Sequence, residues 1–336
     1  MIICKTPLRV SFFGGGTDFP DWYKFNEGAV ISTCIDKHCY ATLRTLPPFF
    51  NFNFRLRYYK TELVKKINNI KHPTIREVLK NYHINKNKGL EITHYADVPG
   101  LSGLGGSSAF TVSLLNLIHE YNKKKISKYQ LSKIAINLEQ NILKEKVGSQ
   151  DQVACSFGGF NHISFNKQSI KVQKLKMNIK IKNFLEKNLT LVYTGFPRKA
   201  HFIEKDKINL LSNKLKYYQE MTNITSEAMK IFQNKNLGNF IIDFSKLLNE
   251  NWKIKKNFSS KVSNFNIDYF FEQCLSKGAI SGKILGAGGG GFCLFLSENT
   301  SEKKKLEKFL KKEVFMKFRF ENQGSKIIYN HMDLYK

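Results

Sequence analysis

Pro99-Gly-Leu-Ser-Gly-Leu-Gly-Gly-Ser-Ser-Ala109 places four glycines and three serines in eleven residues and runs straight into a helical pattern. From Ser107 to Tyr121, the residues Phe110, Leu114, Leu117, Ile118 and Tyr121 fall on one helical face. Glycines let the backbone approach an anion, and the start of the helix offers unpaired amides and its positive dipole end. Gly103, Leu104, Gly105, Gly106, Ser107 and Ser108 therefore form a candidate phosphate loop. One serine hydroxyl can cap the helix while the other faces a magnesium-bound phosphate. The alternative is a flexible loop with an ordinary serine cap, and the glycine density before a well-formed helix weighs against it.

Two further glycine loops lie outside this stretch. Gly286 to Gly291 formally satisfies GxGxxG, but Phe292 to Leu296 (FCLFL) has the pattern of a buried strand where a dinucleotide fingerprint needs a helix. A strand-to-strand turn is expected, one able to close over a ligand held by another domain, with Gly288 and Gly289 as candidate contacts. Gly14-Gly-Gly-Thr-Asp18 ends a strand that carries Arg9, and presents Gly16, Thr17 and Asp18. Asp18 is either an acceptor for sugar hydroxyls or a local turn residue. No GxxxxGK followed by Ser or Thr occurs, nor HRD or DFG, so neither a Walker loop nor a protein-kinase core is present.

At 336 residues the chain suits two domains. Strands are predicted at 2–13, 29–35, 39–46, 90–98, 159–165 and 189–193, and helices at 107–121 and 128–144. A helical stretch from about 201 to 248 then sets a boundary near 195–200. The last third predicts a helix near 267–276, a glycine turn between strands, a charged helix at 301–312 and a closing strand at 325–329. The division expected is 1–197 and 198–336, each α+β. Six scattered cysteines without a CxxC pair read as reduced and buried. No segment is apolar enough for a bilayer, so a cytoplasmic protein is expected. The net charge of +27 is spread along the chain rather than clustered, which argues against a nucleic-acid partner and matches the lysine bias of A/T-rich coding. Such a field would still help to collect doubly anionic ligands.

Taken in order, PLRVSFFGGGTD (7–18), PGLSGLGGSSA (99–109) and KILGAGGGGF (283–292) resemble the three motifs of the galactokinase, homoserine kinase, mevalonate kinase and phosphomevalonate kinase (GHMP) family. The resemblance implies an α+β, two-domain fold, with a ribosomal protein S5 domain 2-like N-terminal domain and a ferredoxin-like C-terminal domain. ATP and a small-molecule acceptor would share the cleft between them. In LEQNILKEKVGSQDQ (138–152), Glu139 precedes Asp151 by twelve positions, similar to the family's acidic pair. By resemblance, Ser108 and Glu139 would hold Mg2+, Asp151 would face the acceptor hydroxyl, and Arg9 would stand beside it as a fixed cation.

Galactokinases carry GEHTD where this chain has GGGTD, which makes galactose an unsuitable substrate. GGGTD, GSQDQ (148–152) and TGFPRKA (194–200) are most similar to bacterial kinases acting on D-glycero-D-manno-heptose 7-phosphate. A substrate already phosphorylated at C7 needs a basic pocket away from C1. The candidates are Arg198, Lys255, Lys256 and Lys283, with Arg198 favoured because a guanidinium grips phosphate with a planar fork. In so lysine-rich a chain, solvated surface is the competing account of each. The rival functions are a kinase of an unphosphorylated sugar such as fucose or a uronic acid, and a non-catalytic sugar-binding regulator.

Overall fold

The structure is a computed structural model and describes residues 1–82, 89–195, 215–233 and 236–331. Ile2–Phe13, rich in β-branched and aromatic residues, forms strand β1 and is buried along most of its length. Its neighbour β2 (Gly28–Leu46) is one strand of 19 residues where the sequence pattern predicts two. Asp36 and Lys37, a polar interruption, look like a break in sequence but form a bulge. Partners step from Pro7↔His38 to Leu8↔Ile35, which leaves two β2 residues without a mate on β1. Asp36 is held from elsewhere: its N–H donates to Arg319 O at 2.9 Å, and its side-chain Oδ1 accepts the Arg319 N–H at 2.9 Å.

After a four-residue helix at Pro20–Tyr23 between β1 and β2, the chain continues with β3 (Phe54–Arg57), β4 (Thr61–Val64), the longer helix α1 (Pro73–Asn81), β5 (Gly89–Ala96), α2 (Gly106–Tyr121), α3 (Lys128–Asn137) and α4 (Gln150–Phe157). Then come β6 (Phe160–Phe165), β7 (Ile170–Lys174), α5 (Ile179–Asn188), β8 (Leu189–Tyr193), α6 (Leu215–Phe232), α7 (Leu237–Lys256) and α8 (Phe265–Ser276). The chain closes with β9 (Ser281–Ile284), β10 (Phe292–Leu296), α9 (Thr300–Phe309), β11 (Val314–Met316) and β12 (Lys326–Asn330). Eight strands form the first sheet in the order β12-β1-β2-β5-β3-β4, with β6 pairing β2 and β7. The second sheet is β11-β8-β10-β9, antiparallel throughout.

The two sheets exchange strands across residues 197/198. β8 precedes that point but belongs to the second sheet, and β12 follows it but pairs with β1 in the first. Burial explains the exchange. β8 (LTLVY) is buried on both faces and fills the slot between β10 and β11, whereas β12 is largely exposed and can close an edge.

Helix α2 buries most of its length against β1 and β2, so its N-terminus is delivered to the end of β1 beyond Arg9. On the other side, Phe12 and Phe13 of β1 meet Phe244 of α7 edge-on at ring distances of 5.7 and 5.4 Å. Phe160 and Phe240 contact Phe232 of α6 within the same cluster, so one core runs from the first sheet into the second domain.

Candidate active site

β1 brings Arg9, and the second residue of α4 is Asp151. Arg9, 4% exposed, donates Nε to Asp151 Oδ1 and Nη2 to Asp151 Oδ2, both at 2.7 Å, forming a bidentate pair. Its Nη1 donates to Gly103 O at 2.6 Å, and its backbone N–H donates to Leu104 O at 3.0 Å, tying the phosphate loop to the same cation. Burial opposes the Arg9 charge, but the Asp151 carboxylate outweighs it and holds the guanidinium above its ordinary value. Gly105 is left-handed at φ 76° and caps α2. A Cβ there would lie 3.2 Å from Arg9 Cγ and 3.3 Å from Asp151 Oδ2, so glycine lets the loop close over the pair.

The predicted helix 128–144 is α-helical only to Asn137; Leu138–Ile142 forms a π turn, closed by Leu143 N–H to Leu138 O at 2.8 Å. That turn aims Glu139 inward, 1% exposed. Its Oε2 accepts the Ser108 hydroxyl at 2.9 Å and the Gln152 side-chain amide. Burial pushes the Glu139 carboxyl up to about 7, with the hydrogen bonds from Gln152 and Ser108 offsetting part of the rise. Oε1 has no well-directed partner, since the neighbouring Thr111 hydroxyl turns to Ser107 O at 3.3 Å. A buried carboxylate oxygen with an open lone pair, beside a serine hydroxyl where the glycine loop enters α2, fits a hard cation such as Mg2+.

Asp18 is buried on the cavity wall. Its Oδ1 accepts the Gly16 N–H at 3.0 Å, its Oδ2 the Gln150 N–H at 3.1 Å, and its carbonyl the Ser149 N–H at 2.8 Å. The carboxylate thus anchors the first turn of α4, one residue before Asp151. A Cβ on Gly148 would fall 1.9 Å from Asp18 Oδ2. Thr17 departs from expectation. It is fully buried away from the cavity, with its hydroxyl shared between Gly14 O and Ala29 O at 2.8 and 2.9 Å and accepting the Ala29 N–H at 3.1 Å, so it staples its own loop to β2. Leu104 likewise turns into the core and offers only backbone, while Gly103, Gly105, Gly106, Ser107, Ser108 and Gly16 line the cavity.

The cavity measures about 180 Å³ and is completed by Lys255, Lys283, Gly286 and Ala287 of the second domain. Both lysines are buried, and neither is simply a surface cation. Lys255 Nζ donates to Ile284 O at 2.8 Å and Gly286 O at 2.5 Å, and Lys283 Nζ donates to Phe12 O at 2.6 Å. Lys256 does not line the cavity: it pairs with Asp268 at 3.2 Å and lies over the Trp252 ring. Nor do Gly288 and Gly289, which pack on Val262. The glycine turn instead docks on the phosphate loop, where the Phe292 N–H donates to Ser102 O at 2.9 Å. Arg198 lies outside the described residues.

Ser11, Gln150 and Gln152 lie inside the quoted motifs but are not among the predicted site residues: Ser11 and Gln150 line the cavity, and Gln152 is buried against Glu139. Ser11 has a usable signal, since two residues after Arg9 on a strand puts it on the same face. The glutamines flank Asp151 on a helix and diverge, Gln150 toward Asp151 and Ser11, Gln152 toward Glu139. No local pattern separates such amides from solvated ones.

Residues 64–159 match the model for the GHMP kinases N-terminal domain, and residues 233–315 match that for the GHMP kinases C-terminal region. The chain is a GHMP kinase. It is 31% identical, over 96% of its length and 97% of the relative's, to the D-glycero-alpha-D-manno-heptose 7-phosphate kinase of Campylobacter jejuni subsp. jejuni. It is 25% identical, over 91% of its length but 31% of the relative's, to the bifunctional fucokinase/GDP-fucose pyrophosphorylase of Arabidopsis thaliana. Among solved structures, a D-glycero-D-manno-heptose 1-phosphate kinase from Bacteroides thetaiotaomicron superposes with a TM-score of 0.78 at 22% identity, covering 98% of this chain and all of that one. A Lactococcus lactis galactokinase gives 0.73 at 15% identity, covering 97% and 94%. The kinase has the two-domain α+β GHMP fold and is an ATP-dependent sugar kinase. Among the described residues, no helix is long and apolar enough to cross a membrane.

Proposed function

We propose that this kinase transfers the γ-phosphoryl group of ATP to the anomeric C1 hydroxyl of D-glycero-D-manno-heptose 7-phosphate, yielding the 1,7-bisphosphate for nucleotide-activated heptose and surface polysaccharide. One observation carries the chemistry: an Arg9-clamped Asp151 shares a cavity with the glycine loop at the N-terminus of α2 and with the Ser108–Glu139 pair. The heptose assignment rests on the full-length likeness to a heptose 7-phosphate kinase.

The loop amides and the start of α2 bind the ATP phosphates. Ser108 and Glu139 would hold Mg2+, which supplies charge neutralisation at the phosphates when bound. Asp151 accepts the hydrogen bond of the C1 hydroxyl and points its oxygen at the γ-phosphorus. As the bond between the C1 oxygen and the γ-phosphorus forms, the bond from phosphorus to the β–γ bridging oxygen breaks, ADP leaves with the electron pair, and the hydroxyl proton passes through Asp151 to solvent. Arg9 keeps the carboxylate in place and offsets negative charge beside the transferring group. Asp18 and Gly16 face the acceptor sugar, while Lys255, Lys283 and Arg198 are the proposed holders of its distal phosphate.

ATP consumption measured against a panel of sugars and sugar phosphates tests the assignment. Manno-heptose 7-phosphate should give the highest kcat/KM; turnover of fucose or a uronic acid in preference would install the rival that the fucokinase likeness supports. Asp151→Asn should lower kcat by ~10²- to 10⁴-fold in a folded protein. Near-wild-type turnover would remove Asp151 from the chemistry.

A further inference from the structure

Gln150 is 4% exposed yet forms part of the cavity wall, and both ends of its side-chain amide are engaged. The Ser11 hydroxyl donates to Gln150 Oε1 at 2.7 Å, and Gln150 Nε2 reaches Asp151 Oδ1 at 3.3 Å. Rotating the amide by a half turn would set its oxygen against the carboxylate, so the charge on Asp151 selects this orientation and Ser11 accommodates it. The consequence is an asymmetric carboxylate. Among the described residues, Oδ1 receives Arg9 Nε and Gln150 Nε2, whereas Oδ2 receives only Arg9 Nη2. Oδ2 is also the oxygen beside Gly105, where a missing Cβ leaves room at the start of α2.

We propose that Gln150, steadied by Ser11, is a positioning residue that occupies Asp151 Oδ1 and so presents Oδ2 to the acceptor hydroxyl. The inference rests on Asp151 being the residue that receives that hydroxyl. Arg9 sets the plane of the carboxylate through its fork, and the amide adds a separate hold on one oxygen. Its removal leaves Asp151 charged and paired but free to rock about the Arg9 contact, which costs alignment rather than ligand binding.

Steady-state kinetics on Gln150→Leu, Ser11→Ala, the double variant, Asp151→Asn and Gln150→Leu/Asp151→Asn tests the inference, with thermal unfolding of each. Gln150→Leu is expected to lower kcat by about 10- to 30-fold while KM for ATP stays put. Ser11→Ala should move kcat the same way by less, and add nothing once Gln150 is leucine. In the Asp151→Asn background, Gln150→Leu should cost little more, because its effect travels through that carboxylate. Unchanged kcat in Gln150→Leu overturns the proposal. An equal loss with and without Asp151 does so too, since a merely structural residue behaves that way. Should Gln150→Leu not fold, Ser11→Ala carries the same split, and no change in its kcat counts against the idea. Wild-type turnover by Asp151→Asn marks a different failure, that of the catalytic assignment beneath.

Discussion

Glu139 is placed where its charge is costly, 1% exposed with the carboxyl pushed by burial from 4.5 to about 7. Between those pH values the folded protein keeps a proton that the unfolded chain has released. Stability therefore falls as pH rises through that window, and the full cost is present above about 7. At roughly 1.4 kcal/mol per unit, the cost approaches ~3 kcal/mol. Glu139→Gln should abolish that slope in the metal-free protein. Urea unfolding at about pH 5 and about pH 8 should show the variant gaining on wild type by up to ~3 kcal/mol at the higher pH. The same variant should lose Mn2+ affinity; a constant stability difference across pH would contradict the burial account. Asp18 shows the complementary case. Its contacts are to backbone amides of its own loop and of α4, so Asp18→Ala should disturb Asp151 as well as the sugar.

Among the elements, the turn between β9 and β10 decides how the second domain meets the phosphate loop. Gly291 is left-handed at φ 84°, and a Cβ on it would fall 2.5 Å from Ser102 O. Its carbonyl accepts both the N–H and the hydroxyl of Thr194, at 2.9 and 3.0 Å. Held on both sides, the turn cannot retreat from an added methyl, so the phosphate loop must yield. Gly291→Ala should lower stability by about 1–3 kcal/mol and weaken ATP use. Unaltered KM for ATP and an unaltered denaturation midpoint would mean that the turn only neighbours the loop.

At the scale of the whole molecule, the aromatic cluster of Phe12, Phe13, Phe232, Phe240 and Phe244 joins the first sheet to α6 and α7. Because β8 and β12 are also exchanged between the sheets, neither domain closes its sheet without chain from across residues 197/198. Phe244→Ala should destabilise the protein by about 3–5 kcal/mol and keep a single unfolding transition. Two separated transitions in denaturant would show that the sheets unfold independently.

Much of the machinery was legible in sequence because it is local. A glycine loop feeding a helix and a glycine turn between strands are contiguous patterns, set by backbone freedom and helical period, whereas Glu139 and Asp151 stood out only through their resemblance to the family's acidic pair. The net charge of +27 conveyed only a field. It did not reveal that Lys255, Lys283 and Lys303 are buried on backbone carbonyls, because a lysine's partner is chosen by packing rather than by its neighbours in sequence. The tertiary structure alone decided that Thr17 staples a loop, that Asp36 and Lys37 form a bulge, and that β12 closes the first sheet. It alone brought Ser11 to Gln150 across 139 positions. The sequence by itself marked out the glycine loop and the two carboxylates that the fold brings to one cavity. How those carboxylates are oriented and charged was settled only by folding, since burial and long-range hydrogen bonds, not residue type, control both.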